Sequence, residues 1–308
     1  MIYLNIAGGL GNQLFQYAYG RYLQELLNDN VTYLVSSYKS DELRELALDK
    51  FDIDKSWIQD SDTVYWDSHR LKKISYKIFK RLDEIFHFAL TDNTPTKYYI
   101  EKQKRLQKHG LYVHEQHAYL MPNITCAKEK YADGLWHHPM YADKMIDALR
   151  EELQLKSGID LPAELQSDIE ASESVCVHVR RGDYLNYNYY MVCNPAYYNE
   201  CMLEIKKMHP QVKFFIFSDD IEWAKNNLNA SEIAESVYVP QGNADYVDFE
   251  LMRRCKHFII SNSTFSWWAA YLGEYKQKTV ITPDKWYSDG RNKEWLNLDG
   301  WIVHSTKC

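Results

Sequence analysis

The stretch Ser174-Val175-Cys176-Val177-His178-Val179-Arg180-Arg181-Gly182-Asp183 decides the fold class of this chain. A short apolar run that ends in charged residues and a glycine predicts a buried strand that stops at a polar loop. Beyond it the chain alternates between short apolar runs and amphipathic stretches. The strands are predicted at 174–180, 212–217, 236–239, 257–260 and 278–282. The helices are predicted at 195–208, 221–228, 245–254 and 265–274. This alternation predicts a parallel sheet that is covered by helices.

The amino-terminal half opens in a similar way. Its first residues predict a strand at 2–6, a glycine loop at 8–12, a helix at 13–27 and a strand at 31–35. Later segments are less regular, with helices predicted near 41–49, 69–90 and 141–155 and short strands around 97–125. The segment Lys156-Ser157-Gly158-Ile159-Asp160-Leu161-Pro162 is the best candidate linker. The sequence therefore predicts an α/β protein with two domains, 1–157 and 158–308.

Composition excludes several classes of protein. Among the 308 residues, 45% are hydrophobic and 26% are charged, which is typical of a globular protein. The net charge of −7 argues against a nucleic-acid partner. No apolar run approaches 18 residues, and the first residues lack the basic region of a signal peptide. The six cysteines contain no Cys-x-x-Cys pair, so we expect reduced thiols in a cytoplasmic protein.

Residues 70–108 carry eleven basic and four acidic side chains, a local charge of +7. Within them, 70–81 has helical spacing with a basic polar face, which suits peripheral contact with an anionic membrane surface. A solvated helix face that packs on its own domain explains the same pattern. The sequence leaves both readings open.

The loops that follow the strands are the places to look for a ligand, because parallel α/β sheets bind ligands beyond the carboxyl ends of their strands. The first loop, Ala7-Gly8-Gly9-Leu10-Gly11-Asn12-Gln13, is neither a complete dinucleotide fingerprint nor a P-loop. Its glycines let the backbone approach a ligand closely, and the start of the following helix favours an anion. A tight turn with no ligand is the alternative.

The second loop begins where the deciding strand ends. It brings His178 and two guanidinium groups, Arg180 and Arg181, to one end of the sheet. Paired guanidiniums can hold a diphosphate in bidentate fashion and stabilise the negative charge that grows on a leaving group. The alternative is a salt bridge between the two domains.

The third loop is Ser261-Asn262-Ser263-Thr264, which lies between a strand and an aromatic helix. Ser263 or Thr264 is a suitable N-cap, and the free N–H groups beyond it can bind an anion. A further strand runs into Asp219-Asp220, which could bind a ribose or base edge, or simply cap the next helix.

Two competing patterns point elsewhere. Asp52-Ile53-Asp54, echoed by Asp60-Ser61-Asp62, has the Asp-x-Asp spacing that bridges a divalent ion and a nucleotide diphosphate in many sugar transferases. The 25 Tyr and 9 Trp suit stacking against sugar rings, as in a non-catalytic glycan-binding module, but they also suit a protein core.

Four segments together resemble the signatures of the bacterial α-1,2-fucosyltransferase family. They are Gly8-Gly9-Leu10-Gly11-Asn12-Gln13-Leu14-Phe15-Gln16-Tyr17-Ala18, His178-Val179-Arg180-Arg181-Gly182-Asp183-Tyr184, Phe217-Ser218-Asp219-Asp220 and Ser261-Asn262-Ser263-Thr264-Phe265-Ser266-Trp267-Trp268-Ala269-Ala270. The segments occur in the family's order and spread over most of the chain. Leu14 stands where Met is common in the family, and Thr264 where Ser is common. Residues from about 40 to 125 match no family motif, which leaves the acceptor open.

The resemblance implies a GT-B-type fold, with two Rossmann-like domains that face each other across a cleft. It implies transfer of L-fucose from GDP-fucose, with inversion and without a metal or other cofactor, to a galactose-containing glycan that could be lipid-linked. Residues 1–157 would hold most of the acceptor and residues 158–308 the nucleotide, with the last residues packing back on the first domain.

The resemblance also implies roles for individual residues. Arg180 would hold the β-phosphate, Asn12 would close on phosphate or fucose, and Asp183 is the nearest candidate for a general base. The donor-binding residues would be Gly9, Gly11, Asn12, His178, Arg180, Arg181, Asp219, Asn262, Ser263, Thr264 and Phe265.

Overall fold

The computed structural model describes residues 1–35, 38, 44–59, 78, 81, 95–113, 121–291 and 293–307. The chain divides into two compact units, Met1–Gln154 and Leu155–Cys308. Apart from residues 78 and 81, the basic segment 70–81 and the helix expected over 69–90 lie outside the described residues. Among the described helices, none has an apolar stretch long enough to cross a bilayer.

The first unit is a five-stranded parallel sheet with helices. Its strands are β1 Ile2–Asn5, β2 Val31–Leu34, β3 Ile58–Gln59, β4 Leu111–Val113 and β5 Lys130–Asp133, and their order in the sheet is β3-β2-β1-β5-β4. Its helices are α1 Leu10–Leu27, α2 Pro95–Lys108, α3 Pro139–Asp143 and α4 Ile146–Glu152. Ile2 and Leu4 of the central strand are fully buried, as expected for a parallel strand that is covered on both faces.

The second unit is a six-stranded parallel sheet. Its strands are β6 Glu173–Val179, β7 Val212–Ser218, β8 Ser236–Tyr238, β9 His257–Ile259, β10 Val280–Pro283 and β11 Ile302–His304, in the order β11-β10-β9-β6-β7-β8. Its helices are α5 Ala163–Ala171, α6 Pro195–Met208, α7 Ile221–Asn227, α8 Ala230–Ile233, α9 Asp245–Arg254 and α10 Thr264–Leu272. The two parallel-sheet units confirm the predicted α/β class with two domains of this type.

The tandem tryptophans of α10 belong to the core of the second unit. Trp267 and Trp268 are both fully buried, and Trp267 Nε1 donates to the Leu296 carbonyl at 2.8 Å. Burying a large aromatic side chain contributes roughly 2–3 kcal/mol from the area removed from water. The helix is therefore fixed firmly on the sheet, and so is the loop that precedes it.

Several expected elements differ from the observed ones. Helix α1 begins at Leu10, inside the glycine loop, because Gly8 turns the chain with a φ of +83° and Gly9 already serves as the N-cap. The short-strand region expected at 97–125 is wrong over its first part, where α2 lies because Lys, Gln and Arg favour a helix. Strand β4 at Leu111–Val113 agrees with the expectation, and residues 114–120 lie outside the described residues. The helix expected at 141–155 is two helices, with a break at Lys144 and Met145.

Candidate functional site

In the second unit, β6 is the strand at which the order of the sheet changes direction. It pairs with β7 on one side and with β9 on the other, and all three strands are parallel. The chain leaves β6 into Arg180 and Arg181, and it leaves β9 into Ser261 and Asn262. The crevice outside the carboxyl ends at such a switch point is where α/β sheets bind their ligands. Two of the three sequence-predicted loops therefore meet at one place.

Arg180 is held between two carboxylates. Its Nη2 donates to Asp183 Oδ1 at 2.7 Å, and its Nη1 lies 2.9 Å from Asp219 Oδ2. Burial disfavours the charged guanidinium, but the Asp219 and Asp183 carboxylates outweigh that cost and raise the pKa of Arg180. The side chain stays 22% exposed. Arg180 thus presents a charged, oriented guanidinium at the carboxyl end of the sheet, where an anion can reach it.

Arg181 points to a different set of groups. Its Nε donates to Asp220 Oδ2 at 3.1 Å, and its guanidinium carbon lies 4.0 Å from the centre of the Trp223 ring. Its backbone N–H donates to Asp219 Oδ1 at 2.8 Å. Asp220 also caps α7 by accepting from Trp223 N. Arg181 therefore ties the loop to α7, and Arg180 is the better placed of the pair to receive a phosphate.

Gly182 is required by the close approach of Asp219. A Cβ built on Gly182 would lie 2.6 Å from Asp219 Oδ2, well inside van der Waals contact. Because Asp219 Oδ2 is also the atom that faces Arg180, a side chain at position 182 would disturb the ion pair. The glycine in the Arg-Gly-Asp sequence thus has a packing reason.

His178 is buried behind the arginines. Its Nδ1 lies 3.0 Å from Ser261 Oγ, which joins the ends of β6 and β9, and its ring centre is 5.5 Å from that of Phe265. Burial, and then the nearby charge of Arg180, lower the pKa of His178 to about 3. At physiological pH the imidazole is therefore neutral, with one ring nitrogen that donates a hydrogen bond and one that accepts.

The third loop is strongly cross-linked. Asn262 is 4% exposed, and its Nδ2 donates to the carbonyls of Tyr190 (2.9 Å) and Trp286 (3.0 Å). Its own carbonyl accepts from the Tyr184 hydroxyl at 3.1 Å. The Asn262 side chain therefore fastens loops that surround the site. Whether it also contacts a donor stays a prediction.

Ser263 is the N-cap of α10, as the sequence suggested. Its Oγ accepts from the Phe265 N–H at 3.3 Å. The Phe265 N–H, which we expected to bind a diphosphate, thus donates to Ser263 Oγ. This hydrogen bond is long, so a charged phosphate oxygen could replace the hydroxyl as the acceptor. Thr264 is the first residue of the helix, where backbone N–H groups have no partner within the helix.

In the first unit, β1 has the corresponding position, since it pairs with β2 on one side and with β5 on the other. The glycine loop follows β1, and Trp136 and His137 follow β5. Asn12 Oδ1 lies 2.9 Å from His137 Nε2, and a Cβ built on Gly8 would lie 2.7 Å from Asn12 Nδ2. Gly8 therefore leaves space for the Asn12 amide, and His137 fixes the direction of that amide.

Two glutamines of the same motif are structural. Gln13 is fully buried; its Nε2 donates to the carbonyls of Gly8 and Glu45, and its Oε1 accepts from Ala47 N. Gln16 joins Ala7 N to the Gly134 carbonyl. Gly9 and Gly11 lie at the start of α1. The signature segment of this unit therefore contains the Asn12 amide beyond the end of β1, together with the glycines and glutamines that hold its loop in place.

A family model supplies the identification. The model described as "Glycosyl transferase family 11" matches residues 1–305. The chain belongs to glycosyltransferase family 11. It is therefore an enzyme of the glycosyltransferase class, and the resemblance found in the sequence is confirmed at the level of the family.

Three relatives show what this family 11 member is similar to. It is 30% identical to "Alpha-1,2-colitosyltransferase" of Escherichia coli, over 93% of this chain and 92% of the relative. It is 29% identical to "O-antigen biosynthesis glycosyltransferase WbnK" of Escherichia coli, over 98% and 99% of the two chains. It is 34% identical to "Galactoside alpha-(1,2)-fucosyltransferase 1" of Saimiri boliviensis boliviensis, but only over 41% of this chain and 35% of the relative.

The Asp-x-Asp pattern comes before a strand of the first unit. Asp54 is exposed and caps the short turn Lys55–Trp57, with Oδ1 accepting from Ser56 N at 2.8 Å. Asp52 is also exposed, and its N–H donates to the Gln154 carbonyl. Both residues precede β3, whereas the polar loops follow their strands. Asp60 and Asp62 lie outside the described residues.

Within the described part of the chain, Glu173, His209 and His257 bring three possible metal-ligand atoms within 4.8 Å of one another. Glu173 and His257 begin β6 and β9, so the trio lies at the end of the sheet opposite to Arg180. His257 Nδ1 accepts from Thr279 N at 3.0 Å, which places the ring proton on Nε2, and Nε2 donates to Glu173 Oε1 at 2.8 Å. A metal would need the lone pair of that nitrogen, so the trio is better described as a hydrogen-bonded cluster.

His137 is the residue that sequence reasoning missed. The signal was present, because Trp136-His137-His138-Pro139 follows Tyr131-Ala132, the buried part of β5. It was not recognised because the preceding region was interpreted as irregular short strands. In addition, His138 is half-buried and caps α3 through its Nδ1, and burial lowers its pKa to about 4.

Proposed function

We propose that this enzyme transfers L-fucose from GDP-fucose to the 2-hydroxyl of a galactose residue in a glycan. The product would be an α-1,2 linkage formed with inversion, and the reaction would need no metal. One observation carries the proposal: Arg180 stands at the switch point of a parallel sheet as a charged fork that two carboxylates orient. A nucleoside diphosphate is the ligand whose charge and shape fit a guanidinium in that position.

The donor contacts follow from the loops around Arg180. The β-phosphate would take the Arg180 fork, and Ser263, Thr264 and the start of α10 would contribute hydroxyl and N–H groups to the same diphosphate. We assign His178 and Asp219 as the candidates for contact with ribose or guanine. Asn12, with the backbone at Gly9 and Gly11, is the contribution that we assign to the first unit.

The chemistry is a single displacement. The acceptor hydroxyl oxygen bonds to the anomeric carbon of fucose on the face opposite the diphosphate, while the bond from that carbon to the phosphate oxygen breaks. GDP leaves with the electron pair, and a β-linked donor becomes an α-linked product. Charge then accumulates on the β-phosphate, where Arg180 would stabilise it more in the transition state than in the ground state.

A base must take the proton of the acceptor hydroxyl, and Asp183 is our candidate. Its carboxylate is 41% exposed and pairs with Arg180 at 2.7 Å. A diphosphate that takes over the Arg180 fork competes with Asp183 for the same donors. Donor binding would thereby release the carboxylate to accept a proton from the hydroxyl.

The relative named a colitosyltransferase supports a second candidate donor sugar. Colitose is fucose without the 3-hydroxyl, so the two donors differ by one hydrogen-bonding group. A site that binds this hydroxyl rejects the deoxy sugar by a large factor, whereas a site that only tolerates it discriminates weakly. We favour fucose because the signature segments match the fucosyltransferase pattern.

The deciding experiment gives the purified enzyme GDP-fucose or GDP-colitose together with a panel of galactosides, and follows the products by mass spectrometry. We expect a gain of one fucose on a terminal galactoside, with the α-1,2 linkage shown by NMR, and equal rates with and without excess EDTA. Activity that EDTA abolishes would favour the Asp52–Asp54 alternative. A strong preference for GDP-colitose would correct the donor.

A further inference from the structure

Five tyrosines form a continuous ring cluster beside the arginine loop. Tyr184 belongs to the short turn Asp183–Asn186, and Tyr189 and Tyr190 belong to the short turn Asn188–Tyr190. Tyr187 lies between these two turns, and Tyr287 follows β10. The Tyr184 and Tyr190 rings stack with their centres 4.5 Å apart, and Tyr190 lies 4.6 Å from Tyr189 and 5.5 Å from Tyr287. We call these five residues the aromatic platform.

One side of the platform is open to solvent. Tyr187 is 51% exposed, and the neighbouring Leu185 and Met191 are 50% and 38% exposed. All three residues lie in the loop between β6 and α6, and exposed apolar residues that cluster commonly mark a binding surface. None of the three is among the buried residues of the core cluster described for this unit.

The platform is fastened to the candidate donor site. Tyr184 follows Asp183 directly, its hydroxyl donates to the Asn262 carbonyl, and the Arg180 guanidinium carbon lies 5.7 Å from its ring centre. Asn262 in turn holds the Tyr190 carbonyl. The rings therefore have a fixed position relative to Arg180 and Asp183, as a surface that orients a reacting group must have.

Polar groups border the rings. The Arg291 guanidinium carbon lies 4.6 Å from the ring centres of both Tyr189 and Tyr287, and Arg291 pairs with Asp289 at 2.6 Å. A pyranose has an apolar face of C–H groups and a rim of hydroxyls. The half-exposed Tyr187 ring can pack against the first feature, and the Arg291–Asp289 pair, whose guanidinium covers the Tyr189 and Tyr287 rings, offers hydrogen-bonding groups for the second.

We propose that the aromatic platform is an acceptor subsite, on which a pyranose ring of the acceptor glycan stacks beside Arg180 and Asp183. This inference rests on the proposed function and deepens it. It assigns part of the acceptor to the second unit, in addition to what the first unit contributes. A guanine base could also stack on tyrosine, so the experiment must separate acceptor from nucleotide.

The test compares Tyr187→Ala with Tyr187→Phe, because phenylalanine keeps the ring and loses only the hydroxyl. We expect Tyr187→Ala to raise the acceptor KM about three- to tenfold, the range for loss of one aromatic contact, while Tyr187→Phe stays within about twofold of the wild type. GDP affinity, measured by calorimetry, should be unchanged in both variants. Since Tyr187 is half exposed, both variants should fold, and their melting temperatures verify this.

Tyr275→Ala is the matched control. Tyr275 packs on His257, at the amino-terminal end of β9, so removing its ring should leave the acceptor KM unchanged. An unchanged acceptor KM in Tyr187→Ala overturns the proposal. So does a loss of GDP affinity without an acceptor effect, which would assign the platform to the nucleotide.

If the wild-type enzyme transfers no fucose, the proposed function fails and the platform is tested by binding alone. Saturation-transfer NMR of galactosides should then show contact with wild type and Tyr187→Phe and a weaker signal with Tyr187→Ala. Equal signals from all three proteins would overturn the platform independently of the reaction.

Discussion

Arg180 and Asp219 come from the ends of adjacent strands, and Nη1 of the arginine lies 2.9 Å from Oδ2 of the aspartate. The other oxygen of Asp219 accepts the backbone N–H of Arg181, so one carboxylate holds both residues of the arginine pair. Asp183 binds the remaining side of the Arg180 fork. The guanidinium is therefore oriented before a ligand arrives, which reduces the cost of organising it during the reaction.

Arg180→Ala should lower kcat/KM about 10²–10³-fold, because loss of such a preorganised group costs on the order of 3–4 kcal/mol in the transition state. Arg180→Lys should recover little, since one ammonium cannot replace a planar fork. Steady-state kinetics on folded variants measure both effects.

Arg254→Ala is the control for that measurement. Arg254 pairs with Glu170 and Glu250 at the carboxyl end of α9, so its loss should leave kcat/KM near the wild-type value. If folded Arg180→Ala keeps more than about a tenth of wild-type kcat/KM, the role of Arg180 in holding the leaving group is wrong.

Gly182→Ala tests the ion pair without touching either charge. The added methyl group would lie 2.6 Å from Asp219 Oδ2, so that oxygen must move away from Arg180. Because the displaced carboxylate would no longer orient the guanidinium, and a preorganised group of this kind contributes on the order of 3–4 kcal/mol, we expect kcat/KM to fall about tenfold or more. Asp219→Asn, which keeps the shape and removes the charge, should act in the same direction. Full activity in both variants would show that the orientation of Arg180 does not depend on Asp219.

The second unit shows what local sequence can predict. The helices Pro195–Met208 and Asp245–Arg254 have the predicted bounds. In the first of them, Asn194 caps the helix and Pro195 occupies its first turn, so two adjacent residues predict where the helix begins. The arginines after β6 could be placed at a strand end for the same reason, since a buried apolar run stops just before them.

What could not be predicted depends on contacts between distant segments. The partnership of Asp219 with Arg180 follows from the pairing of β6 with β7, which aligns His178 with Phe217. Likewise, the contact of Asn12 with His137 requires β5 beside β1, and β5 was not recognised in the sequence. The side-chain amide of Asn262 donates to the carbonyls of Tyr190 and Trp286, which are far from it in the sequence, so this role could not be predicted.

The buried His178 should make the protein less stable in mild acid. Its pKa is lowered to about 3, first by burial and then by Arg180, against an ordinary value of 6.5. The unfolded chain therefore binds a proton more readily, so the stabilisation present above pH 6.5 is lost as the pH falls towards 3. The loss approaches about 1.4 kcal/mol per pH unit in that window.

His178→Asn removes this titration and keeps a polar group near Ser261. Denaturant unfolding at several pH values should therefore give a shallower fall in the free energy of unfolding between pH 6 and pH 4 than in wild type. An identical slope in both proteins would mean that His178 is protonated equally easily in the folded and unfolded states.

The basic segment 70–81 predicts salt-sensitive attachment to anionic lipid. Vesicles that contain an anionic phospholipid should sediment the enzyme at low ionic strength and release it at high ionic strength. Changing Lys72, Lys73, Lys77 and Lys80 together to Gln should abolish sedimentation and leave activity on a soluble disaccharide intact. Absence of sedimentation at low salt would favour a solvated helix face.

Asn12 tests the assignment of a donor contact to the first unit. Its amide can donate to a phosphate oxygen or a fucose hydroxyl without adding charge, and His137 Nε2 lies 2.9 Å from its Oδ1. Asn12→Ala should lower kcat by an order of magnitude or more. GDP affinity should fall much less, since one neutral hydrogen bond contributes only about 0.5–1.5 kcal/mol in the ground state.

His137→Phe shows whether the orientation of Asn12 matters, because phenylalanine retains the packing on Phe15 and removes the hydrogen bond. If His137 acts by orienting Asn12, His137→Phe should reproduce part of the kcat loss, and the double variant should be no slower than Asn12→Ala. Additive losses would mean that the two residues act independently. A purely structural role for Asn12 predicts a different pattern, in which the melting temperature of Asn12→Ala falls while kcat is preserved. That pattern would remove Asn12 from the donor site, because a residue that only supports the α1 loop has no reason to affect the leaving of GDP.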